Sequence, residues 1–248
     1  MVDIHTHILP GADDGAHDME ESVEMARAAY ESGTEYLVLT PHVGAPGLPH
    51  NYWSREMHRR YADFRRALHA AGIPLRIGYG AEIYYTSEMP DRLNAGQLLP
   101  LAGSQYLLIE FPFDVRPETV RDALSCVNDA GLTPVLAHPE RYRMTARDPR
   151  AIYDWVKSGC VMQVNKDSLL GAFGHEICDT AHMLLSHGLI HCAASDAHHS
   201  DYRTPKLDTL HRYLTQIAGE RCADLLLKIN PGHLLRGERP EQGEIIPF

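Results

Sequence analysis

Nine side chains in this sequence are of types that hold metal ions: His5, His7, Asp14, His42, Glu82, Glu110, His138, Asp196 and His198. The first two stand in VDIHTHILPGADDGA (2–16), where an i, i+2 spacing puts both imidazoles on one side of an extended strand. Asp196 and His198 repeat that spacing near the other end of the chain. An isolated HxH is weak evidence, because a polar strand end or a hydrogen-bonded core histidine accounts for it equally well. Glu110, in LLIEFPF, is more demanding: a carboxylate in an apolar run must be coordinated or paired with a buried arginine. Glu82 is a second such carboxylate, although Tyr84 and Tyr85 beside it could keep it near a wet rim. Imidazoles and carboxylates without thiolates suit manganese, iron or zinc better than an iron–sulfur cluster. Nine groups exceed one ion's needs and suffice for two or three, with Glu82 placed to bridge a pair.

Three divalent ions carry six positive charges against the four of Asp14, Glu82, Glu110 and Asp196. A hydroxide and a phosphate dianion would more than neutralise the excess, so the expected chemistry is phosphate-ester hydrolysis, with a metal-held hydroxide attacking phosphorus. Arg141 in HPERY and Arg203 in DYRTP follow two of the ligand positions and could clamp phosphate oxygens with their planar donor forks; the bland reading is a loop salt bridge. Arg143 is less well placed. Tyr142 and Tyr202 could shape an aromatic approach or simply stack on loop residues, and Asp13 is either an outer carboxylate or a turn residue. HEICD (175–179) is no zincin helix, because Asp179 stands where HExxH needs histidine. His182 and His187 are read as solvent-facing or locally hydrogen-bonded. His199 points away from His198 if the chain stays extended, and His58, His69, His211 and His233 lack metal spacing.

These groups must be brought together by the elements that carry them. Val2 to His5, YLVLTPH (36–42), LRIGYGAEIY (75–84), YLLIEFP (106–112), TPVLAHPE (133–140), VMQVN (161–165) and IHCAASDAHH (190–199) read as seven strands. Helical patterns lie between them. The first is capped by Asp18, with Glu21 closing a capping box and Gly33 stopping it. Others fall at 51–71, with Tyr61, Phe64 and Leu68 on one face, and near 117–130, 149–158, 175–187, 205–218 and 220–228, while 85–104 is less regular. Such alternation implies a parallel sheet with helices outside, and seven strands suit an α/β barrel related to the eight-stranded (β/α) barrel better than an open sheet, in one domain, residues 1–248. The ligand-type residues sit at or beyond the strands' C-terminal ends, which converge on one rim.

Composition narrows the alternatives. A formal charge of -10 without a Lys/Arg block argues against general nucleic-acid binding. There is no basic, apolar leader and no membrane-length apolar run, so the expected location is the cytoplasm. Cys126, Cys160, Cys178, Cys192 and Cys222 are scattered and odd in number, which points to reduced, mostly buried thiols.

The ordered blocks DIHTHILPGADDGA, TPH, GAEIYY, IEFP, LAHPERY and SDAHH span nearly the whole chain. Together they resemble the PHP superfamily of metal-dependent phosphoesterases, and within it the bacterial CpsB/YwqE-type protein-tyrosine phosphatases of capsule and exopolysaccharide synthesis. The resemblance implies a distorted (β/α)7 barrel with two or three ions per chain, manganese first, with iron, zinc or cobalt as alternatives. It distributes His5, His7, Glu82 and Asp196 to one ion, Glu82, Glu110 and His138 to a second, and Asp14, His42 and His198 to a third. It makes Arg141 and Arg203 the catalytic phosphate contacts, and it implies as partner a membrane-associated tyrosine autokinase, a phosphotyrosyl protein that could recruit the phosphatase to the inner membrane face. The competing assignments are a histidinol-phosphate phosphatase of the same superfamily and, in another class, a silent phosphoprotein-binding module. A nuclease reading has no supporting surface.

Overall fold

The computed structural model describes all 248 residues. Nine short strand segments build the sheet: β1 (Val2–Asp3), β2 (Tyr36–Leu39), β3 (His42–Val43), β4 (Arg76–Tyr79), β5 (Glu82–Tyr84), β6 (Tyr106–Glu110), β7 (Thr133–Ala137), β8 (Val161–Asn165) and β9 (Cys192–Ala194). They are the seven expected strands with two of them interrupted. β2 and β3 are parted by Thr40-Pro41, where proline has no N–H for a ladder, and β4 and β5 by Gly80-Ala81. Backbone bonds carry across both breaks, from Gly80 N–H to the Leu39 carbonyl (3.0 Å) and from Glu82 N–H to the Pro41 carbonyl (3.2 Å).

Every pairing is parallel, in the orders β1-β2-β4 and β3-β5-β6-β7-β8-β9. The first and last strands close the ring. Asp196 N–H donates to the His5 carbonyl (3.0 Å), His7 N–H to the Ala197 carbonyl (2.9 Å), and Thr6 bridges to Ala197. The architecture is therefore the parallel α/β barrel expected from the alternating pattern, in the distorted form that the family resemblance implies.

Alternation along each strand separates two kinds of core. Val38, Tyr106, Leu108, Val135, Val161, Cys192 and Ala194 belong to one buried cluster inside the barrel, while Leu107, Ile109, Leu136, Met162 and Val164 pack outward under the helices. Burying each larger aliphatic of this kind stabilises the fold by about 1.5–3 kcal/mol. The inward parity then runs up to the rim: Val38 leads to His42, Leu108 to Glu110, Val161 to Gln163 and Asn165, and Ala194 to Asp196.

The helices are α1 (Met19–Glu31), α2 (Arg55–Ala70), α3 (Met89–Asn94), α4 (Pro117–Asp129), α5 (Arg143–Arg147), α6 (Arg150–Lys157), α7 (Lys166–Leu169), α8 (His175–Ser186), α9 (Asp208–Ala218), α10 (Glu220–Asp224) and α11 (Asn230–Leu235). α2 buries Met57 with the expected Tyr61, Phe64 and Leu68. It starts later than position 51 because Asn51 has φ 50°, outside the helical region; Ser54 caps it instead. Asp18 caps α1 as expected, but the capping box is not closed. Glu21 accepts from His17 N–H (2.8 Å) and meets His199 Nδ1 (3.1 Å) instead of returning to Asp18.

The last helix also runs past position 228. A wider π turn at Leu225–Ile229 leads without a break into α11, where Pro231 contributes no N–H to the ladder. No disulfide forms; Cys160 and Cys192 are buried and the other three cysteines partly so.

Candidate metal centre

The nine ligand-type residues meet at the C-terminal rim. His5 and His7 present their Nε2 atoms 3.1 Å apart. Glu82 stands between them, 3.2 Å from His5 Nε2 through one oxygen and 3.2 Å from His7 Nε2 through the other. The same carboxylate lies 2.9 Å from His138 Nε2 and 3.0 Å from His42 Nδ1, a central position suited to bridging. Glu110 is 3.5 Å from His42 and 3.6 Å from His138. Asp14 is 3.6 Å from the Nε2 atoms of both His42 and His198, and Asp196 Oδ1 is 3.3 Å from His7 and 3.5 Å from His5.

These separations fit metal coordination. Donors bound at about 2.1 Å to one ion stand roughly 3.0 Å apart along an octahedral edge and roughly 3.4 Å along a tetrahedral edge. Three overlapping groups, His5/His7/Asp196, His7/Asp14/His42/His198 and His42/Glu82/Glu110, can each hold an ion. His42 Nδ1 and Glu82 Oε2 are buried, mutually close and without hydrogen-bond partners, which leaves both free for a cation.

Three of the imidazoles are held by their other nitrogens. His5 Nδ1 donates to Gln163 Oε1 (2.7 Å), His7 Nδ1 to Asp13 Oδ2 (2.8 Å) and His198 Nδ1 to the Asp196 carbonyl (2.9 Å), so each Nε2 lone pair faces inward. Gln163 donates on to Asn165 (2.9 Å), and Asn165 to Asp196 Oδ2 (2.6 Å). Asp13 is thus an outer carboxylate, and it also accepts from His42 N–H (2.8 Å) and Gly15 N–H (3.0 Å). Gly15 is required here: a Cβ on it would collide with the backbone and Cβ of His7, over which the loop passes. Asn51 ties that loop to the strand end by donating to the Ala12 (2.8 Å) and His42 (2.9 Å) carbonyls.

Charge is balanced by proximity. For His5, burial opposes the charged form, but the neighbouring carboxylates Glu82 and Asp196 outweigh it and the net shift is upward. His42 follows the same logic and rises to about 9. Burial also opposes ionisation of Glu82 and Asp196, yet His5 and its neighbouring cations hold both well below the usual carboxylate range. Glu110 goes the other way: burial and the charge of Glu82 raise it. His138 is pushed down to about 4, chiefly by burial. A divalent cation would replace the protons that this crowding retains, so metal uptake is coupled to proton release.

Arg141 and Arg203 both reach the site. They address Asp196, at 3.6 Å and 2.7 Å. Arg143 does not line the central cavity, whose volume is about 160 Å³. Tyr142 is not an approach residue: it is fully buried, and its hydroxyl donates to the Ala137 carbonyl (2.9 Å) and accepts from Phe111 N–H (3.2 Å). Tyr202 is exposed and stacks on His199 at 4.1 Å between ring centroids. His199 turns away from the nine, toward Glu21, and His182 binds the Leu169 carbonyl.

Two local points that spacing left open or misread are decided by the fold. Glu82 is buried, with 1% exposure, not held at a wet rim. Asp196 has φ 49°, so Asp196 and His198 converge through a left-handed kink and not through extended alternation.

Gln163, Asn165, Phe113 and Phe173 escaped the reading of the sequence. VMQVN carried a signal, since two amides at period two in a buried strand need partners. Phe113 and Phe173 lie under the Arg141 guanidinium, 4.5 Å and 4.9 Å from it. No local pattern announces them.

Residues 1–236 match the family described as capsular polysaccharide synthesis, CpsB/CapC. The chain is 39% identical over 203 residues to the tyrosine-protein phosphatase YwqE of Bacillus subtilis (strain 168), covering 80% of this chain and 77% of that one. It is 30% identical over 243 residues to the tyrosine-protein phosphatase CpsB of Streptococcus agalactiae, with 95% and 98% covered. A solved structure from work on YwqE from Bacillus subtilis and CpsB from Streptococcus pneumoniae, described as unique metal-dependent tyrosine phosphatases, superposes with a TM-score of 0.92 at 34% identity. That superposition covers 100% of this chain and 99% of the other. The lactonase Lmo2620 from Listeria monocytogenes shares the fold alone, at a TM-score of 0.61 and 12% identity, with 94% of each chain covered.

Proposed function

Because the chain belongs to the CpsB/CapC family, we propose that it is a metal-dependent protein-tyrosine phosphatase acting on a membrane-associated tyrosine autokinase in capsule or exopolysaccharide synthesis. The observation that carries this reading is Glu82 at the centre of four inward-facing imidazoles, with two arginines at the same cavity.

His5, His7, Asp14, His42, Glu82, Glu110, His138, Asp196 and His198 would hold two or three ions, manganese first, with iron, zinc or cobalt as substitutes. When bound, the ions supply an activated water at neutral pH and Lewis-acid stabilisation of the phosphoryl charge. Arg141 and Arg203 take two non-bridging phosphate oxygens, leaving Asp196 as the anion arrives. Asp13, Gln163 and Asn165 keep the imidazoles and Asp196 oriented. The leaving group is tyrosine phenolate, whose conjugate acid has a pKa near 10, so its departure needs less protonic help than an alkoxide's. No cysteine takes part.

No helix is long and apolar enough to cross a membrane. We place the enzyme in the cytoplasm, brought to the inner membrane face by its substrate, with residues 1–248 acting as one unit.

The test is metal quantification joined to hydrolysis of a phosphotyrosyl peptide, with histidinol phosphate alongside, for the parent and for Glu82→Gln. The expected result is peptide turnover that disappears with metal removal. The variant should lose more than about 100-fold in activity together with bound metal. Full activity of thoroughly metal-free protein, or selective turnover of histidinol phosphate, would refute the proposal.

A further inference from the structure

Ten residues line the central cavity, and Phe113 is the single apolar one. A phosphoryl group fits that polar chamber of about 160 Å³, but a substrate's apolar portion has only one surface to lie on. Phe113 is 43% exposed, unusual for a large apolar side chain this close to a charged centre. It also forms part of a second cavity, of about 350 Å³, that borders the first and shares Glu110 with it. Tyr84 and Pro112 add further apolar surface there.

The wall is built by the fold. Tyr84 ends β5 and pairs in register with Glu110 of β6, so its ring is carried by the same strand pair as two ligand-type carboxylates. Phe113 follows β6 on a turn closed by Val115 N–H to the Pro112 carbonyl (2.9 Å) and pinned by Arg143 N–H to the Phe113 carbonyl (2.9 Å). Its ring lies under the Arg141 guanidinium and 6.3 Å from the His138 ring, edge-on.

We propose that Phe113 and Tyr84 form an aryl subsite: with the phosphoryl group in the polar chamber, the substrate's phenyl ring lies between them in the adjoining cavity. This inference rests on the phosphatase reading and names what would make that site prefer aryl to alkyl phosphate esters. A phenyl ring would carry the phosphate ester out of the polar chamber into the adjoining cavity that both aromatic side chains line. A serine or threonine phosphate, with its short aliphatic stem, leaves their surface uncovered. Arg143 and Asp114, which line the same cavity, are in position to meet the peptide backbone around the phosphotyrosine.

The test is calorimetric binding of phenylphosphonate and methylphosphonate to the metal-loaded protein, for the parent, Tyr84→Ala and Phe113→Ala. The parent should bind phenylphosphonate about 10-fold more tightly, and each variant should shrink that ratio by about 3- to 10-fold. Because Phe113 also packs on Arg141, its removal can weaken both ligands; the ratio isolates the ring contact, and Tyr84→Ala should leave methylphosphonate binding unchanged. Equal affinities in the parent, or a ratio unmoved in both variants, would overturn the subsite. A parent that shows the aryl preference yet releases no phosphate from a phosphotyrosyl peptide would instead overturn the phosphatase reading and leave the subsite standing.

Discussion

Around the starts of β6 to β9 the barrel carries a cavity of about 520 Å³, bordered by Gln105, Tyr106, Lys157, His191 and Arg239; at the strand ends lies one of about 160 Å³. The larger cavity contains no grouping of His, Asp, Glu or Cys able to hold an ion, whereas three such groupings converge on the smaller. The rim also holds three of the five non-glycine residues with positive φ: His138 (34°), Asp196 (49°) and Arg203 (46°). Each such conformation costs about 1–3 kcal/mol and persists only where surrounding contacts enforce it. The larger volume does not mark the metal-binding end. What distinguishes them is where buried polar atoms and backbone strain are concentrated.

The sharpest way to break the contrast is to disturb the rim's backbone without touching a ligand. Gly15→Ala forces the loop carrying Asp13 and Asp14 off His7, so activity should fall by about 100-fold or more with ion occupancy reduced, in a protein that still melts cooperatively. Normal phosphopeptide turnover by this variant would show that the close approach is dispensable.

The opposite end should respond in stability. His191 is buried and neutral there, its pKa pushed down by burial to about 4, and its Nδ1 accepts from Met162 N–H at 3.0 Å. The unfolded chain holds the extra proton between about 4 and 6.5, so this group's contribution is full above 6.5 and is lost as pH falls toward 4. The shift corresponds to about 3 kcal/mol. Urea melts of His191→Gln should be flatter than the parent's by that amount across the window, with phosphatase activity retained; identical pH slopes would contradict a buried neutral imidazole.

A smaller effect belongs to the rim's outer carboxylate. Asp13→Asn keeps the size but removes the charge that orients His7, and metal affinity measured by chelator competition should drop about 10- to 100-fold. Unchanged affinity would reduce Asp13 to a turn residue. Smallest of all, Lys157→Ala at the large cavity should alter activity less than twofold and stability by no more than about 0.5 kcal/mol. A larger loss of turnover would give that cavity a role the contrast denies it.

The rim was legible in the sequence because Glu82, Glu110, His42, His138 and Asp196 interrupt or end apolar strand segments, where an unpartnered charge would be expensive. The role of Asp13 beside the ligand-type Asp14 was not legible, since adjacent aspartates in an irregular loop carry no periodicity; the fold buries Asp13 and leaves Asp14 half-exposed. α5 and α7 span too few residues to show an apolar stripe. Glu21 illustrates a tertiary partner overriding a local rule: the capping box was chemically available, but His17 and His199 claimed the carboxylate. The strand breaks at Pro41 and Gly80 left the count of seven intact, because hydrogen bonds continue across them.

The ring is closed by Asp196 N–H on the His5 carbonyl and His7 N–H on the Ala197 carbonyl, which joins opposite ends of the sequence. During synthesis at about 5–20 residues per second, His5 and His7 would therefore wait on the order of ten seconds or more before Asp196 and His198 emerge. Until then the early histidines can hold an ion only loosely. Tight metal retention by a nascent chain would consequently mark the moment at which the last strand has docked, and chains stalled before β9 should exchange their metal freely.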